Sequence, residues 1–430
     1  MAFVVLCSNR RNATIALLAT ALIVPLGQQI LVMGLHFRFA RILILIGVLR
    51  VLLRGEARTL RLTKVDRLFI GWALVTLSCG IFRGPKAETF GMAYDALGAY
   101  FLFRVWVGNL QHLQGHLRTL TGLLMIMAVC MAIELATQRN LFFMFGGVPE
   151  ISAVRDGRLR CQGPFRHPIL AGTFAAAMFP LVVGLWFGAR RDRPRAVAGM
   201  VSSILCTYAA ASSGALLTLL GAIVGFCLWP MRSKMHLIRR GIVASIMIMA
   251  ILMTPPVWFI IGRISEITGG TGWHRSHLID QAITHIGEWW LIGTSYTAHW
   301  ASDPYTILAV DPNNMDITNH YVAQATTGGA LGLGLFLLML ATCYRTIGRA
   351  VRAGKNRRLH PKVAWALGVS LFANCVAFIS VSYFDQIQIY WFWLLAVISA
   401  LSLAGPRLTG AKQKTENLGV QTADTCPVTA

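Results

Sequence analysis

Apolar residues along this chain fall into twelve runs separated by short polar segments. Each run is close to the length that a helix needs to cross about 30 Å of bilayer hydrocarbon. The stretch from Ala196 to Pro230 is too long for one span, so it predicts two helices broken at Ser212-Ser213-Gly214. The pattern predicts spans near residues 13–34, 39–53, 68–83, 90–108, 118–137, 167–188, 196–230 (two spans), 241–262, 321–344, 362–382 and 387–404.

Composition supports an all-α, polytopic membrane protein with about twelve transmembrane helices and a large external loop. The chain is 56% hydrophobic and 13% charged, whereas soluble proteins have roughly 45–50% apolar and 25% charged residues. The net charge of +22 comes from Lys and Arg in clusters between the apolar runs. This distribution is typical of membrane topology and argues against nucleic-acid binding.

The basic residues also predict the orientation. With the N-terminus in the cytoplasm, 28 of the 39 Lys and Arg lie on the cytoplasmic side, as the positive-inside rule requires. Both termini are then cytoplasmic. We expect one transmembrane domain over residues 1–405, with external loops 138–166 and 263–320 forming the active site. The polar tail 406–430 is expected to be disordered and cytoplasmic.

The loop 138–166 carries positive charge against this bias. The loop holds five arginines on the external side of the membrane. Guanidinium groups bind phosphate as a planar fork of donors. The loop therefore predicts an anionic ligand, with lipid headgroups as the alternative for any single arginine. Arg160 is the first choice, because the turn at Gly163-Pro164 would fold it back over the membrane surface. The predicted ligand-binding residues of this loop and its exit are Arg155, Arg158, Arg160, Arg166 and His167.

The loop 263–320 supplies the second group of candidates. Arg275 begins a stretch to Ile283 with apolar residues at helical spacing, which predicts a short amphipathic helix on the bilayer surface. His274 precedes it and is a further candidate ligand residue. The alternative for Arg275 is anchoring at the membrane interface.

His320 stands where the polar loop becomes a membrane helix. A neutral imidazole at that boundary can take a proton from an acceptor hydroxyl. Asp311 and Asp316 are expected to orient this histidine or the sugar. The alternative for His320 is a structural role at the start of the helix.

Several catalytic patterns are missing. The chain has no GxxxxGK[ST], HExxH or GxSxG motif, and no DxD in its external loops. Nucleotide hydrolysis, zinc proteolysis, serine esterase chemistry and nucleotide-sugar transfer therefore lack their usual residues. No metal site and no cofactor are predicted, so the energy for a reaction must come from the substrate.

The chain resembles the O-antigen ligase and polymerase superfamily of integral membrane glycosyltransferases. The architecture covers most of the chain, and the motifs cover roughly residues 155–335. In that family an arginine and a Gly turn open a middle span, similar to Arg160, Gly163 and His167-Pro168. A second arginine precedes a surface helix and a Gly turn, similar to Arg275 and Gly293. A histidine then enters a span with Gly-x-x-Gly behind it, similar to His320, Gly329 and Gly332.

One departure from the family pattern concerns the turn Ser212-Ser213-Gly214. Family members often carry Ser-Arg-Gly there. The missing charge is supplied by Arg155, Arg158 or Arg166, or this branch handles the diphosphate differently.

The resemblance implies transfer of a glycan from a polyprenyl diphosphate donor to a lipid A core, glycan or protein acceptor. It places the active site on the periplasmic side of a bacterial inner membrane. Arg160 and Arg275 would neutralise the diphosphate, and His320 would deprotonate the acceptor. A ligase is favoured slightly, and a polymerase shares the same donor chemistry. A secondary transporter is the alternative of a different class.

Overall fold

The computed structural model describes residues 1–25, 29–32, 35–108, 110–155, 157–263, 272–301, 314–354 and 359–403. The described chain is largely helical, with two small two-stranded sheets. The helices are α1 Ala2–Cys7, α2 Arg10–Ile23, α3 Phe39–Leu53, α4 Lys64–Phe82, α5 Ala87–Trp106, α6 Leu113–Thr137, α7 Pro168–Trp186, α8 Arg193–Ala209, α9 Ser213–Cys227, α10 Met235–Leu252, α11 Gly272–Thr284, α12 Ile286–Trp289, α13 His320–Arg352, α14 Pro361–Ala377 and α15 Gln386–Leu401. The strands are β1 Gln29–Val32, β2 Leu35–Arg38, β3 Ala153–Arg155 and β4 Arg158–Arg160.

A helix overlaps each of the twelve predicted apolar segments. The predicted break at Ser212-Ser213-Gly214 is confirmed, since α8 ends at Ala209 and α9 begins at Ser213. Within the described residues, five helices are long and apolar enough to cross a membrane: Lys64–Phe82, Leu113–Thr137, Pro168–Trp186, Trp229–Leu252 and His320–Arg352.

The first predicted span, 13–34, is wrong in its second half. Helix α2 ends at Ile23, and β1 pairs with β2 in an antiparallel hairpin. The sequence explains the end of the helix, because Pro25 follows Val24 and a residue before proline avoids the helical conformation. Val24 is accordingly extended, with φ −83° and ψ 121°.

Two helices form the centre of the molecule. Every residue of α15 except Gln388 is buried, and α7 is buried along most of its length. They meet where Phe174 packs edge-to-face on Tyr390, with ring centroids 5.2 Å apart. A helix that is apolar on all sides and also buried must be surrounded by other helices, and α7 packs on α6, α8, α9 and α14.

The few charged groups near the ends of apolar runs are paired. Arg104 of α5 and Asp66 of α4 form a fully buried ion pair with a 3.1 Å contact. Arg41 and Asp95 are joined by a contact of 2.8 Å. Pairing offsets the cost of removing charge from water, so these charges can be buried where two helices meet.

The tail 406–430 lies outside the described residues. Its predicted disorder therefore stays a prediction.

Candidate functional site

A cavity of about 1770 Å³ opens at one end of the helices. Its lining comes from the ends of α4, α6 and α8, from the starts of α5, α7 and α9, from the first turns of α13, and from loop residues that include Ser380–Phe384. The cavity therefore gathers residues that are far apart in sequence. Six of the described lining residues are cationic, namely Arg83, Lys86, Arg155, Arg158, Arg160 and Arg275, whereas two, Glu88 and Asp316, are acidic.

A hairpin presents three of these arginines. Strands β3 and β4 pair antiparallel, with Arg155 opposite Arg158 across a turn that contains Gly157 at φ +70°. Arg160 lies at the end of β4, and all three arginines line the cavity. The hairpin therefore concentrates positive charge at the cavity wall, as the sequence predicts for three of the four arginines of this loop assigned to ligand binding.

Glu134, at the end of α6, fixes the segment that follows the hairpin. Its buried carboxylate accepts hydrogen bonds from the backbone N–H groups of Gln162 and Gly163, at 3.0 and 2.9 Å, and from the Ser152 hydroxyl at 2.6 Å. Gly163 adopts φ +54°, a conformation that favours glycine. The predicted turn at Gly163 is thus confirmed, and a buried carboxylate holds it.

Arg275 lies on α11 and reaches the turn between α8 and α9. Its side chain lines the cavity, and its Nη2 lies 3.5 Å from the position that a Cβ atom on Gly214 would occupy. The residue is only 7% exposed, and within the described chain its Nε has no hydrogen-bond partner. Desolvation lowers the pKa of Arg275 below its usual value, and the charge of Arg155 lowers it further.

The position of Arg275 bears on the missing arginine of the Ser212-Ser213-Gly214 turn. The guanidinium of Arg275 lies beside that turn, although it comes from another loop. Ser212 precedes α9 without a side-chain cap hydrogen bond, and the free N–H groups at a helix start favour an anion. The three residues named earlier as replacements do not include Arg275, which the structure places nearest.

Arg83 is a cavity residue that the sequence analysis missed. It follows α4 and donates hydrogen bonds to three backbone carbonyls, those of Thr294, Thr326 and Thr327. Burial lowers its pKa. Its position at the outer end of a predicted span was the available signal, but no motif surrounds it.

The segment 290–294, whose Thr294 carbonyl accepts a hydrogen bond from Arg83, packs against a kink of α13. Gly329 lies inside this helix with φ 65° and ψ −169°, and the Ala330 N–H donates to the Trp290 carbonyl at 2.8 Å. A Cβ atom at Gly329 would collide with the Leu291 carbonyl, and one at Gly293 would collide with the Thr326 carbonyl. Both glycines therefore permit two backbones to approach closely.

Three further residues that the sequence analysis predicted, His167, His274 and Asp316, also line the cavity. Partial burial and the charges of Arg160 and Arg155 lower the pKa of His167 to about 4, and its Nδ1 accepts the Ile169 N–H at the start of α7.

His274 and Asp316 meet across the cavity wall. The Nε2 of His274 lies 3.3 Å from the backbone carbonyl of Asp316. Because a carbonyl only accepts, this contact requires the proton on Nε2. Desolvation raises the pKa of the Asp316 carboxyl, and His274 partly offsets the change.

His320 does not line the cavity, which contradicts the expectation that it faces substrate at the water boundary. The side chain is 6% exposed and packs against Phe378, with ring centroids 4.5 Å apart. Its Nδ1 accepts the Tyr383 N–H at 3.1 Å, and its Nε2 lies 3.2 Å from Gln324 Nε2. Because Nδ1 accepts a hydrogen bond, the ring proton lies on Nε2, and the contacts with Tyr383 and Phe378 explain why the imidazole turns inward.

Two other predicted residues are not brought to the site. Arg166 is 60% exposed, contacts Asp385 at 3.6 Å and is not part of the lining. Asp311 lies outside the described residues.

The rest of the lining combines hydroxyl groups with apolar surface. The hydroxyl and amide side chains include Thr207, Ser212, Ser213, Ser295, Thr297 and Asn314. Exposed apolar side chains stand beside them, among them Met92, Tyr208 and Leu216. The cavity therefore offers cations for an anion, hydroxyls for polar groups and apolar surface for a hydrocarbon chain.

Comparison with known proteins adds no family to this description, because no protein-family model and no curated protein sequence matches the chain.

Proposed function

We propose that this chain is a membrane glycosyltransferase that transfers a glycan from a polyprenyl diphosphate donor to an acceptor. The resemblance in motif order to the O-antigen ligase and polymerase superfamily supports this proposal. A ligase, with a lipid A core or protein acceptor, is our preferred form. A polymerase would use the same donor site and extend a glycan.

The observation that carries the proposal is the state of Arg275. A buried guanidinium without a carboxylate partner is costly. Arg275 is buried, and its Nε has no hydrogen-bond partner within the described chain. The charge of Arg155 also disfavours that of Arg275, and Arg158 and Arg160 line the same cavity. An anionic ligand with more than one charge would remove this cost, as a diphosphate does.

The donor's chemistry matches the lining. A polyprenyl diphosphate glycan has an apolar chain, a diphosphate and a sugar, in that order. Exposed apolar residues such as Leu216, the cations and the hydroxyl groups supply a surface for each part. A free nucleotide sugar would leave the apolar surface unused.

The proposed reaction is a direct displacement. The acceptor hydroxyl oxygen bonds to the anomeric carbon, the bond from that carbon to the diphosphate oxygen breaks, and configuration inverts. Arg160 and Arg275 stabilise the charge that develops on the leaving diphosphate. Asp316 takes the acceptor's proton, because its carboxylate lies in the cavity and its raised pKa makes it a stronger base than an ordinary aspartate.

The membrane placement follows the same proposal. In this proposal the twelve chain segments that contain helices α2 to α10 and α13 to α15 cross a bacterial inner membrane, and both termini lie in the cytoplasm. The cavity then opens on the periplasmic side, since it is lined by the predicted external loops.

The test compares two arginines of the outer surface. We expect Arg275→Gln to lower glycan transfer from a purified polyprenyl diphosphate donor by about 100-fold, the usual effect of losing one group that stabilises transition-state charge. Arg166→Gln is the matched control, because Arg166 lies outside the cavity, and it should retain transfer. Products separated on a gel give the rate.

A third variant separates function from folding. Arg275→Met removes a buried charge that has no carboxylate partner among the described residues, so we expect its thermal unfolding temperature to equal or exceed that of the unchanged protein, with transfer lost. Full transfer by either Arg275 variant would overturn the proposal. Transport of the donor without a glycan product would favour the transporter alternative.

A further inference from the structure

A cluster of two histidines and one glutamate lies on the loop between α11 and α13. His285 follows α11, Glu288 lies on α12 one helical turn later, and His299 follows the cavity segment 294–297. One potential ligand atom from each residue lies within 4.8 Å of the others. None of the three lines the cavity, so the cluster is separate from the site described above.

The hydrogen bonds of the cluster prepare its side chains as ligands. The Nδ1 of His285 lies 2.9 Å from the Gln281 carbonyl, which only accepts, so Nδ1 carries the proton and Nε2 keeps its lone pair. Such a bond from the second nitrogen to a carbonyl is the usual arrangement for a metal-binding histidine. Glu288 Oε2 accepts the Trp300 indole N–H at 3.2 Å, which orients the carboxylate.

The spacing of the ligand atoms is close to that around a metal ion. His299 Nε2 and Glu288 Oε1 are 2.9 Å apart, and neighbouring ligands around tetrahedral zinc are separated by roughly 3.3 Å, given bonds of about 2.0 to 2.2 Å. Small rotations of two partly exposed side chains would bring all three atoms to that distance. The ring of His285 also stacks on Trp300, with centroids 5.6 Å apart, and this contact holds it beside His299.

We propose that His285, Glu288 and His299 bind one divalent transition-metal ion, with zinc as the best fit and water as the fourth ligand. Imidazole with carboxylate suits zinc, whereas magnesium and calcium prefer sets of oxygen ligands. The ion links α12 to the turn at His299. The chain between them includes Thr294, Ser295 and Thr297, which form part of the cavity wall. This metal site does not depend on the proposed glycosyl transfer.

The experiment uses the full chain purified in detergent without a polyhistidine tag and stripped with a chelator. Titration calorimetry with zinc chloride should show one ion per chain. We expect His299→Ala and Glu288→Gln each to weaken binding by at least about 100-fold, since even residues that only orient a ligand cost about 10- to 100-fold. His236→Ala is the control, because this exposed histidine begins α10, and it should bind zinc as the unchanged chain does.

A second measurement keeps the result independent of folding defects. Zinc should raise the thermal unfolding temperature of the unchanged protein and of His236→Ala, but not of Glu288→Gln, whose unfolding without zinc should match the unchanged protein. Equal zinc binding by His285→Ala/His299→Ala, absence of zinc binding by the unchanged chain, or equally tight binding of magnesium would each overturn the proposal.

Discussion

The arginines of the outer surface differ in what surrounds them. Arg166 is exposed and contacts Asp385, and Arg83 donates to three carbonyls. Arg275 is buried, and its Nε has no hydrogen-bond partner among the described residues. The residue type is the same for all three, so burial and partners decide which of them is available to a ligand.

Substitutions of Asp316 and His320 test which of these two residues is the general base of the proposed reaction. We expect Asp316→Asn to lower transfer by about 100-fold or more, because a positioned general base contributes about that much. We expect His320→Asn to retain transfer, since the asparagine oxygen can still accept the Tyr383 N–H. Initial rates with purified donor and acceptor measure both.

The pH dependence of transfer provides a second test of whether Asp316 is the general base. Only the ionised carboxylate accepts a proton, and the raised pKa of Asp316 moves its ionisation above the ordinary range of an aspartate. Transfer should therefore fall as the pH is lowered through that pKa, and Asp316→Asn should lose this dependence.

His320→Ala should unfold more easily, by about 1–3 kcal/mol, because it leaves the buried N–H of Tyr383 unpaired. Lost transfer by a stably folded His320→Asn would return the role of base to His320.

The sequence predicted the positions of the cationic side chains of the cavity better than it predicted the position of His320. Arg155, Arg158 and Arg160 stand out because they oppose the topological bias, and the structure brings all three into the cavity. His320 stood out by its place at the start of a helix. Which way a side chain turns there depends on contacts with Phe378 and Tyr383, which are about 60 residues away in sequence, and no local pattern records them.

At the scale of elements, the cavity wall depends on two backbones in contact. The segment 290–294 enters the kink of α13 at Gly329, and this contact sets the carbonyls that bind Arg83. The sequence shows Gly293 and Gly329 as positions of the motifs described above. It does not show that Gly329 leaves the helical conformation, because the partner carbonyl belongs to a distant loop.

Gly329→Ala tests this contact. The backbone at Gly329 is nearly exclusive to glycine, and forcing another residue into such a conformation costs about 1–3 kcal/mol. The added methyl group also meets the Leu291 carbonyl. We expect a lower thermal unfolding temperature together with weaker donor binding, since the carbonyls around Arg83 shift.

Gly334→Ala provides the control within the same helix. Nothing lies within 4 Å of a Cβ atom at Gly334, and its φ is not positive. Alanine in a helix is more favourable than glycine by roughly 0.5–1 kcal/mol, so this variant should be as stable as the unchanged protein or slightly more so. Equal stability of the two alanine variants would contradict the role given to the kink.

At the scale of the whole molecule, the order of apolar runs predicted the helices well. Each run contains a helix, because periodicity and length depend on local sequence. The end of α2 at Ile23 was missed, since the run 13–34 stays apolar through Pro25 and into the β1–β2 hairpin. Composition describes what a segment buries but not the secondary structure in which it does so.

The position of the cavity predicts which ends of the helices face the periplasm, and cysteine labelling can test this prediction. Helices α4, α6 and α8 end at the cavity, whereas α5, α7 and α9 begin there, so consecutive helices alternate in direction. Ser295 then lies on the cavity side and Arg191 on the opposite side. In a background without native cysteines, a membrane-impermeant maleimide should label Ser295→Cys in intact cells, and Arg191→Cys only after the inner membrane is opened. Both positions are exposed, so a difference in labelling reports the side of the membrane rather than burial. Labelling of Arg191→Cys from outside, or of both positions alike, would contradict the periplasmic cavity and with it the access of a periplasmic acceptor to the proposed donor site.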